Sequence, residues 1–428
     1  MFAHPATRTR RCAVALAVAG LTGTGLVAVS ALPAQAAPAE RVTNFSFDAQ
    51  SYGSKTKNNP NADSGATALS FLGCTRVVPR SRENFTAATG DGDGVQLNNV
   101  STRNFTQEAG SQVSVVSTVQ IEDGTLAGGA VAFSNAQGKV FSANNRDGYV
   151  SRTSSSIGTL TIGGVPIDLP TDGQEQSFPV VATDGGSTGT LTVNYQVKRS
   201  NQRAALGGVN VLRYQEDGSG GTIEKVGRAF SRIDGNVEGG IFGGQAFGTK
   251  SRTGTIAQTG QSAKQPMPCP GTNGEVLETR QGRATADFGV VGEQISSAFG
   301  EQNGRNSADG FTLSRIDRVG FSGGTLVFRN IVARARVVRQ ADGDVNRTAK
   351  ETGVGSILVN GEEQPTPAAG EEQQVAGVGS YRVKVVNKSR IGLDVTAVVV
   401  TLNNGTPADT SDDTVAELGN ARLEIKRG

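Results

Sequence analysis

Cys74 and Cys269 are the residues of this chain best suited to covalent chemistry, and they stand 195 positions apart. The third cysteine, Cys12, and the only histidine, His4, both fall within the first 36 residues. Beyond that point the chain has no histidine, which excludes a Ser-His-Asp triad, a Cys-His pair and a His-ligated metal. Ser-Lys dyads and paired carboxylates remain as possible machinery. Acidic pairs occur at Asp91/Asp93, Asp342/Asp344, Glu362/Glu363, Glu371/Glu372 and Asp412/Asp413. Each stands among Gly, Pro, Ser or Thr, the setting of a solvated turn and not of two acids facing across a cleft.

Gly90-Asp91-Gly92-Asp93-Gly94 puts oxygen ligands on alternate residues, as a calcium loop does, but the run stops after two acids and lacks the distal glutamate. Asp409, Asp412 and Asp413 form a second faint cluster of the same kind. Both read as β-turns, so no metal or cofactor is assigned. Arg334 and Arg336 alternate on a predicted strand with Arg339 beyond, the pattern of a solvated face. No Gly-rich loop follows a strand and opens a helix, so nucleotide binding has no support. Tyr52 and Phe247 could stack on sugars, but the chain has no Trp and only 5% aromatics, and core packing is the expected role. No catalytic residue is assigned, and the chain is read as a non-enzyme.

The amino-terminal segment bears on where these residues work. Arg8, Arg10 and Arg11 precede an apolar stretch from Ala13 to Leu32, and Ala34-Gln35-Ala36 supplies a small-x-small site. Residues 1–36 are thus expected to be a secretory signal cleaved between Ala36 and Ala37. Its removal leaves 38 basic and 39 acidic residues, so no net charge favours nucleic acid. It also leaves no span for a membrane. Export would place Cys74 and Cys269 where thiols pair.

The chain matches itself at a nearly constant offset. Phe47-Asp-Ala-Gln50-Ser-Tyr52-Gly53-Ser54-Lys55 aligns with Phe242-Gly-Gly-Gln245-Ala-Phe247-Gly248-Thr249-Lys250, 195 residues later. The cysteines and the pairs Gly128-Gly129 and Gly323-Gly324 keep that offset. Ile157–Gly164 resembles Val354–Gly361 at 197, and Thr222–Gly227 resembles Thr414–Gly419 at 192. Two tandem homologous units are expected, residues 40–238 and 239–428, divided in the Gly-rich stretch Asp234–Gly240. Equivalent cysteines meet only near a pseudo-symmetry axis, where a bond would clamp the units together. Free buried thiols and intermolecular pairing are the alternatives.

Period-2 patterns dominate each unit, as in Gln112–Ile121, Gly189–Val197, Thr325–Val338, Tyr381–Val386 and Val395–Leu402. Asp123-Gly124, Asp147-Gly148, Asp217-Gly218, Asp342-Gly343 and Asn404-Gly405 read as turns between strands. The best helical candidate, around Glu293 to Phe299, is short and flanked by Gly. The expected fold is all-β: two antiparallel β-sandwich-like units, with a partly solenoidal stack as the alternative.

Tyr52-Gly-Ser-Lys55, Ala66-Thr-Ala-Leu-Ser-Phe-Leu-Gly-Cys74-Thr75, Ser114-Val-Val-Ser117-Thr118 and Ile157–Gly164 together resemble the choice-of-anchor P family. These are exported β-domain proteins of actinobacteria. The resemblance covers much of the first unit, and a weaker version recurs in the second. It implies an extracellular or surface-associated β-domain with no recognised catalytic residues. The chain departs from the family at its carboxyl end, Ala421–Gly428, which carries no apolar tail or sortase-type motif. Release or non-covalent retention at the surface is therefore expected.

The leading functional expectation is a secreted or surface-associated, non-catalytic structural or binding protein whose partner is a cell-envelope polymer or protein. Its rivals are a carbohydrate-active enzyme using two carboxylates and a calcium-stabilised adhesion module.

Overall fold

Strand formation follows from where the β-branched and small residues fall. Along Leu326–Arg339, Ile331, Ala333, Ala335 and Val337 are all fully buried, while the residues between them are more exposed. Along Gln96–Ala109 the alternation is reset once, at Asn99, whose φ of 48° lets Leu97 and Val100 both face the core.

The computed structural model describes residues 39–58, 62–63, 66–90, 94–169, 173–181, 188–218, 221–254, 257–258, 261–286, 288–403 and 412–427. The expected signal and its Ala36–Ala37 junction lie outside these residues, as do Asp91, Asp93 and Asp409. Among the described residues there is no α-helix, only one short 3-10 turn at Ser322–Gly324, and no helix long and apolar enough to cross a membrane.

Twelve strands of four or more residues fill the first half: β1 Arg41–Asn58, β2 Ser70–Val78, β3 Arg80–Gly90, β4 Gln96–Ala109, β5 Gln112–Leu126, β6 Val131–Asn145, β7 Gly148–Ser156, β8 Thr159–Ile162, β9 Gln176–Val181, β10 Thr188–Ser200, β11 Ala204–Glu216 and β12 Ile223–Asp234. One sheet runs β9-β10-β11-β12-β1, with β2 paired to β1; the other runs β8-β6-β5-β4-β3, with β7 paired to β6. The second half holds β13 Ile241–Thr253, β14 Leu277–Gln281, β15 Gln294–Gln302, β16 Ala308–Phe321, β17 Leu326–Arg339, β18 Val345–Thr348, β19 Ser356–Val359, β20 Glu372–Val375, β21 Gly379–Lys388, β22 Gly392–Leu402 and β23 Thr414–Lys426. Its sheets run β20-β21-β22-β23-β13 and β19-β17-β16-β15-β14, with β18 paired to β17. The two halves therefore repeat one strand order, and Gln265–Pro266 pairs with β13 as β2 pairs with β1.

In each half the two sheets pack face to face as a sandwich. All strand pairs among the described residues are antiparallel, so the solenoidal alternative is not realised. The helical expectation near Glu293 is also corrected, because Gln294–Gln302 is a strand held between β14 and β16. Seven residues are too few to offset helix nucleation, whereas here two neighbouring strands supply every rung. Asp123-Gly124 is not a turn but lies inside β5. A Cβ on Gly124 would stand 2.6 Å from the Gln96 carbonyl oxygen and 2.7 Å from a Leu97 methyl, so this glycine serves a close approach of strands. Gly148, Gly218 and Gly343 do take the left-handed conformation at their expected turns, while Asn404-Gly405 lies outside the described residues.

The second core is one continuous cluster in which Phe288, Phe321, Phe328 and Tyr381 follow one another with ring centroids 5.5, 6.2 and 5.3 Å apart. The first core is divided into a cluster around Leu97, Ile121, Val131 and Phe133 and a smaller one around Phe47, Leu72 and Ile233. Buried hydroxyls line the division: Ser142 Oγ lies 2.9 Å from Ser231 Oγ, and Ser117 Oγ donates to the Gln50 carbonyl at 3.0 Å.

No strand pairing joins the halves among the described residues. The joining segment is packed instead, with Val237 fully buried. Its backbone is held by the Gln302 side chain, which accepts from the N–H of Gly239 (2.7 Å) and Gly240 (3.0 Å) and donates to the carbonyls of Gly240 (2.8 Å) and Pro270 (2.9 Å). Val237 and Ile241 pack on Cys269 and Cys74, which are disulfide-bonded with Cα atoms 5.5 Å apart.

Candidate functional site

Above this disulfide opens a cleft of about 840 Å³ whose walls come from both halves. On one side β2 contributes Phe71 to Thr75 and Val77, β1 contributes Asp48, β12 contributes Arg232, and β3 contributes Arg80 and Arg82. Asp48 and Arg232 are direct cross-strand partners, which explains why both face the same space. Arg80 and Arg82 share a side of β3 because strand side chains repeat every second residue. On the other side β23 contributes Arg422, Glu424 and Lys426 by the same alternation. Gly243 and Gly244 leave the wall between them bare. Gly244, at φ 139°, has no room for a side chain, since a Cβ would fall 2.0 Å from the Arg422 carbonyl oxygen.

The lining carries five cationic side chains and two carboxylates. Most of the cations are already paired. Arg422 donates to Glu424 at 2.5 Å, and Lys426 lies 3.4 Å from the other oxygen of the same carboxylate. Burial works to raise the Glu424 pKa, but these two cations hold it below the ordinary value. Arg232 donates through Nε and Nη2 to the buried Asp234, at 2.8 and 2.7 Å. Asp234 is nonetheless raised, because burial outweighs the Arg232 and Ser46 contacts. Asp48 is pushed up to about 6 by burial, with Arg232 opposing and Asp234 adding to the rise. It is thus half-protonated near pH 6 and mostly ionised at neutrality. Arg80 and Arg82 differ from the rest: neither guanidinium has a side-chain partner among the described residues.

Of the residues singled out in the sequence, only Cys74 and Cys269 reach this cleft, and they form part of its wall. Tyr52 and Phe247 are buried, at 5% and 3% exposure. Arg334 pairs with Glu351 and Arg336 with Asp309, each at 2.6 Å, while Arg339 is buried. Asp342 accepts from the Asp344 N–H at 3.0 Å in an exposed turn, and Glu371 accepts from Gln373 at 3.0 Å. Among the described residues no group of three or more His, Cys, Asp or Glu could hold a metal ion. The cleft residues Asp48, Arg80, Arg82, Arg232, Arg422, Glu424 and Lys426 carry no motif, since they come from separate stretches of the chain. Their one trace in the sequence is the alternation of charge on single strands, Arg80-Ser-Arg82 and Arg422-Leu-Glu-Ile-Lys426.

No family model, no curated protein and no solved structure matches this chain.

Proposed function

We propose that this chain is an exported, non-catalytic binding protein that holds an acidic segment of a cell-envelope polymer or protein in the cleft between its halves. The single observation that carries the reading is the state of Arg80 and Arg82. They line a cleft whose other cations are balanced by acids, and they have no side-chain partner of their own among the described residues. Two guanidinium forks on one side of a strand can take carboxylate or phosphate oxygens pairwise. The signal-like first 36 residues, the resemblance to choice-of-anchor P proteins and the absence of histidine beyond residue 36 favour the same reading. On this view the halves descend from one copied unit, and their junction became the site.

The experiment is co-sedimentation of the mature chain with cell-envelope fragments. The R80E/R82E variant should lose about tenfold or more in bound fraction at low salt, with its melting temperature little changed. Equal sedimentation of the variant and the parent would remove the basis of this proposal.

A second reading, hydrolysis of a polymer by two carboxylates, draws on Asp48 and Glu424. They line one cleft from opposite halves, and their pKa values are displaced in opposite directions, as a proton donor and its ionised partner require. Release of reducing ends from envelope glycans, abolished by both D48N and E424Q, is the outcome that would favour it over binding.

A further inference from the structure

The partly exposed face of the β1 sheet carries a second concentration of charge, several rungs from the cleft. On β12, Lys225, Arg228, Phe230 and Arg232 are partly exposed, whereas Glu224, Val226, Ala229, Ser231 and Ile233 are buried. The strand register places Lys55 of β1 directly opposite Lys225, and Lys225 directly opposite Arg213 of β11. Three cations thus occupy one rung across three adjacent strands. On the neighbouring rung Tyr52, Arg228, Asn210 and Tyr195 stand in line. No acid belongs to either rung.

Like charges directly opposite one another in a sheet destabilise it. Lys225 registers that cost. Burial lowers its pKa, and Arg228, Lys55, Arg213 and Lys57 lower it further. The run extends onto the second half, where Lys264 is lowered by burial and by Lys55. The corresponding rung of the second half does not share the problem: Lys250 faces Glu417, and Glu417 faces Val399. Nothing in the fold therefore demands three cations at this place.

The guanidinium groups are also held in position. Arg213 lies 5.0 Å over the Tyr195 ring and donates to Gln215 at 2.8 Å. Arg228 lies 5.7 Å over the Phe230 ring and rests on Gly208, where a Cβ would come within 3.0 Å of it. Flat guanidinium groups stacked on rings keep their N–H edges for an anion.

We propose that this face is a second binding site, centred on Lys225, for the phosphate groups of an anionic polymer. A phosphate group offers several acceptor oxygens to donors converging from different strands, whereas a carboxylate offers two. Recognition of nucleic acid is disfavoured because Tyr195 and Phe230 are covered by Arg213 and Arg228, which leaves those rings unavailable to stack on bases. The site is independent of the cleft, since none of its cations lines that cavity.

The test is titration of the mature full-length chain with sodium polyphosphate by calorimetry, alongside polygalacturonate and an oligothymidylate of matched charge. Polyphosphate should bind tightest. Its affinity should fall by about tenfold or more between about 50 and 200 mM salt. K225E should weaken it by about tenfold and K225Q by severalfold, and the same losses should appear in an R80E/R82E background, where the cleft no longer takes phosphate. Both Lys225 variants should melt at or above the parent temperature, because each relieves the crowding of charge. Polyphosphate binding that is absent from the R80E/R82E background, or indifferent to K225E there, would overturn the proposal. So would tighter binding of polygalacturonate or oligothymidylate, or a lower melting temperature in both Lys225 variants.

Discussion

At matching rungs of the two ladders, Lys55 faces Lys225 in the first half, while Lys250 faces Glu417 in the second. One rung further, Tyr52 faces Arg228 in the first half and Phe247 faces Asn420 in the second. The cores differ in the same sense. The second half has one cluster threaded by stacked rings, and the first has two clusters parted by buried serines. Ser51, Ser142 and Ser231 in the first half correspond, by the offsets of the repeat, to Ala246, Val337 and Leu423 in the second. One strand order is compatible with both arrangements, so the scaffold itself asks for neither. The second half is arranged for packing and balanced charge. The first half accepts polar seams and cations set opposite cations, the pattern expected where residues serve a ligand at some cost in stability.

The comparison can be broken most forcefully at the core. Phe328 and Phe133 occupy matching strands β17 and β6, and both are buried. Phe328→Ala should cost about 3–5 kcal/mol in chemical denaturation. Phe133→Ala should cost about 1 kcal/mol less, because Phe328 alone packs edge-on against Phe321 and Tyr381. Equal losses would show that the ring stack contributes nothing beyond burial.

The next largest effect concerns how the halves are held. Cys74→Ser with Cys269→Ser opens a covalent loop of 195 residues, and chain entropy sets an upper loss of roughly 5 kcal/mol. About 2–4 kcal/mol is expected, because the linker and Gln302 still tether the halves. Small-angle scattering should then show a wider molecule with both sandwiches intact by circular dichroism. An unchanged scattering curve would mean that the packed linker alone fixes their arrangement.

A smaller effect separates the two walls of the cleft by pH. Asp48 has an ordinary pKa of 3.8 and is raised to about 6 in the folded chain. The native state therefore binds its proton more readily than the unfolded state does. Stability associated with this group is greatest below pH 3.8 and is lost as the pH rises through about 6. Asp48→Asn should raise stability at about pH 7.5 by up to about 2–3 kcal/mol and change it little at about pH 3.5. Glu424 is displaced downward, so its contribution has the opposite sign and is lost on acidification. Melting curves at the two pH values would check both directions.

Much of the fold is legible in the amino-acid sequence. Val, Ile and Thr at every second position identify strands such as Gln112–Leu126 and Leu326–Arg339, because the pleat turns alternate side chains to one face. The two departures from expectation have a common cause. Local composition marks Gly124 as a turn and the stretch after Glu293 as a helix, while their conformation answers to neighbours distant in the chain: Gln96 and Leu97 in one case, β14 and β16 in the other. The cleft is not legible, because no single segment contains it. The cationic rung leaves one trace in the aligned repeat, namely the change of sign between Lys225 and Glu417.

The linear order of residues was enough to establish an antiparallel β protein, two stretches that resemble each other, and a cysteine at the same place in each. These properties depend on spacing along one chain, and spacing is all that a strand period or a repeat requires. Only the folded arrangement decided that the two sulfurs meet, that Arg80 and Arg82 stand above them without acidic partners among the described residues, and that Lys55, Lys225 and Arg213 share a rung. Electrostatic energy depends on distance through space, and in a sheet that distance is set by register between strands far apart in sequence.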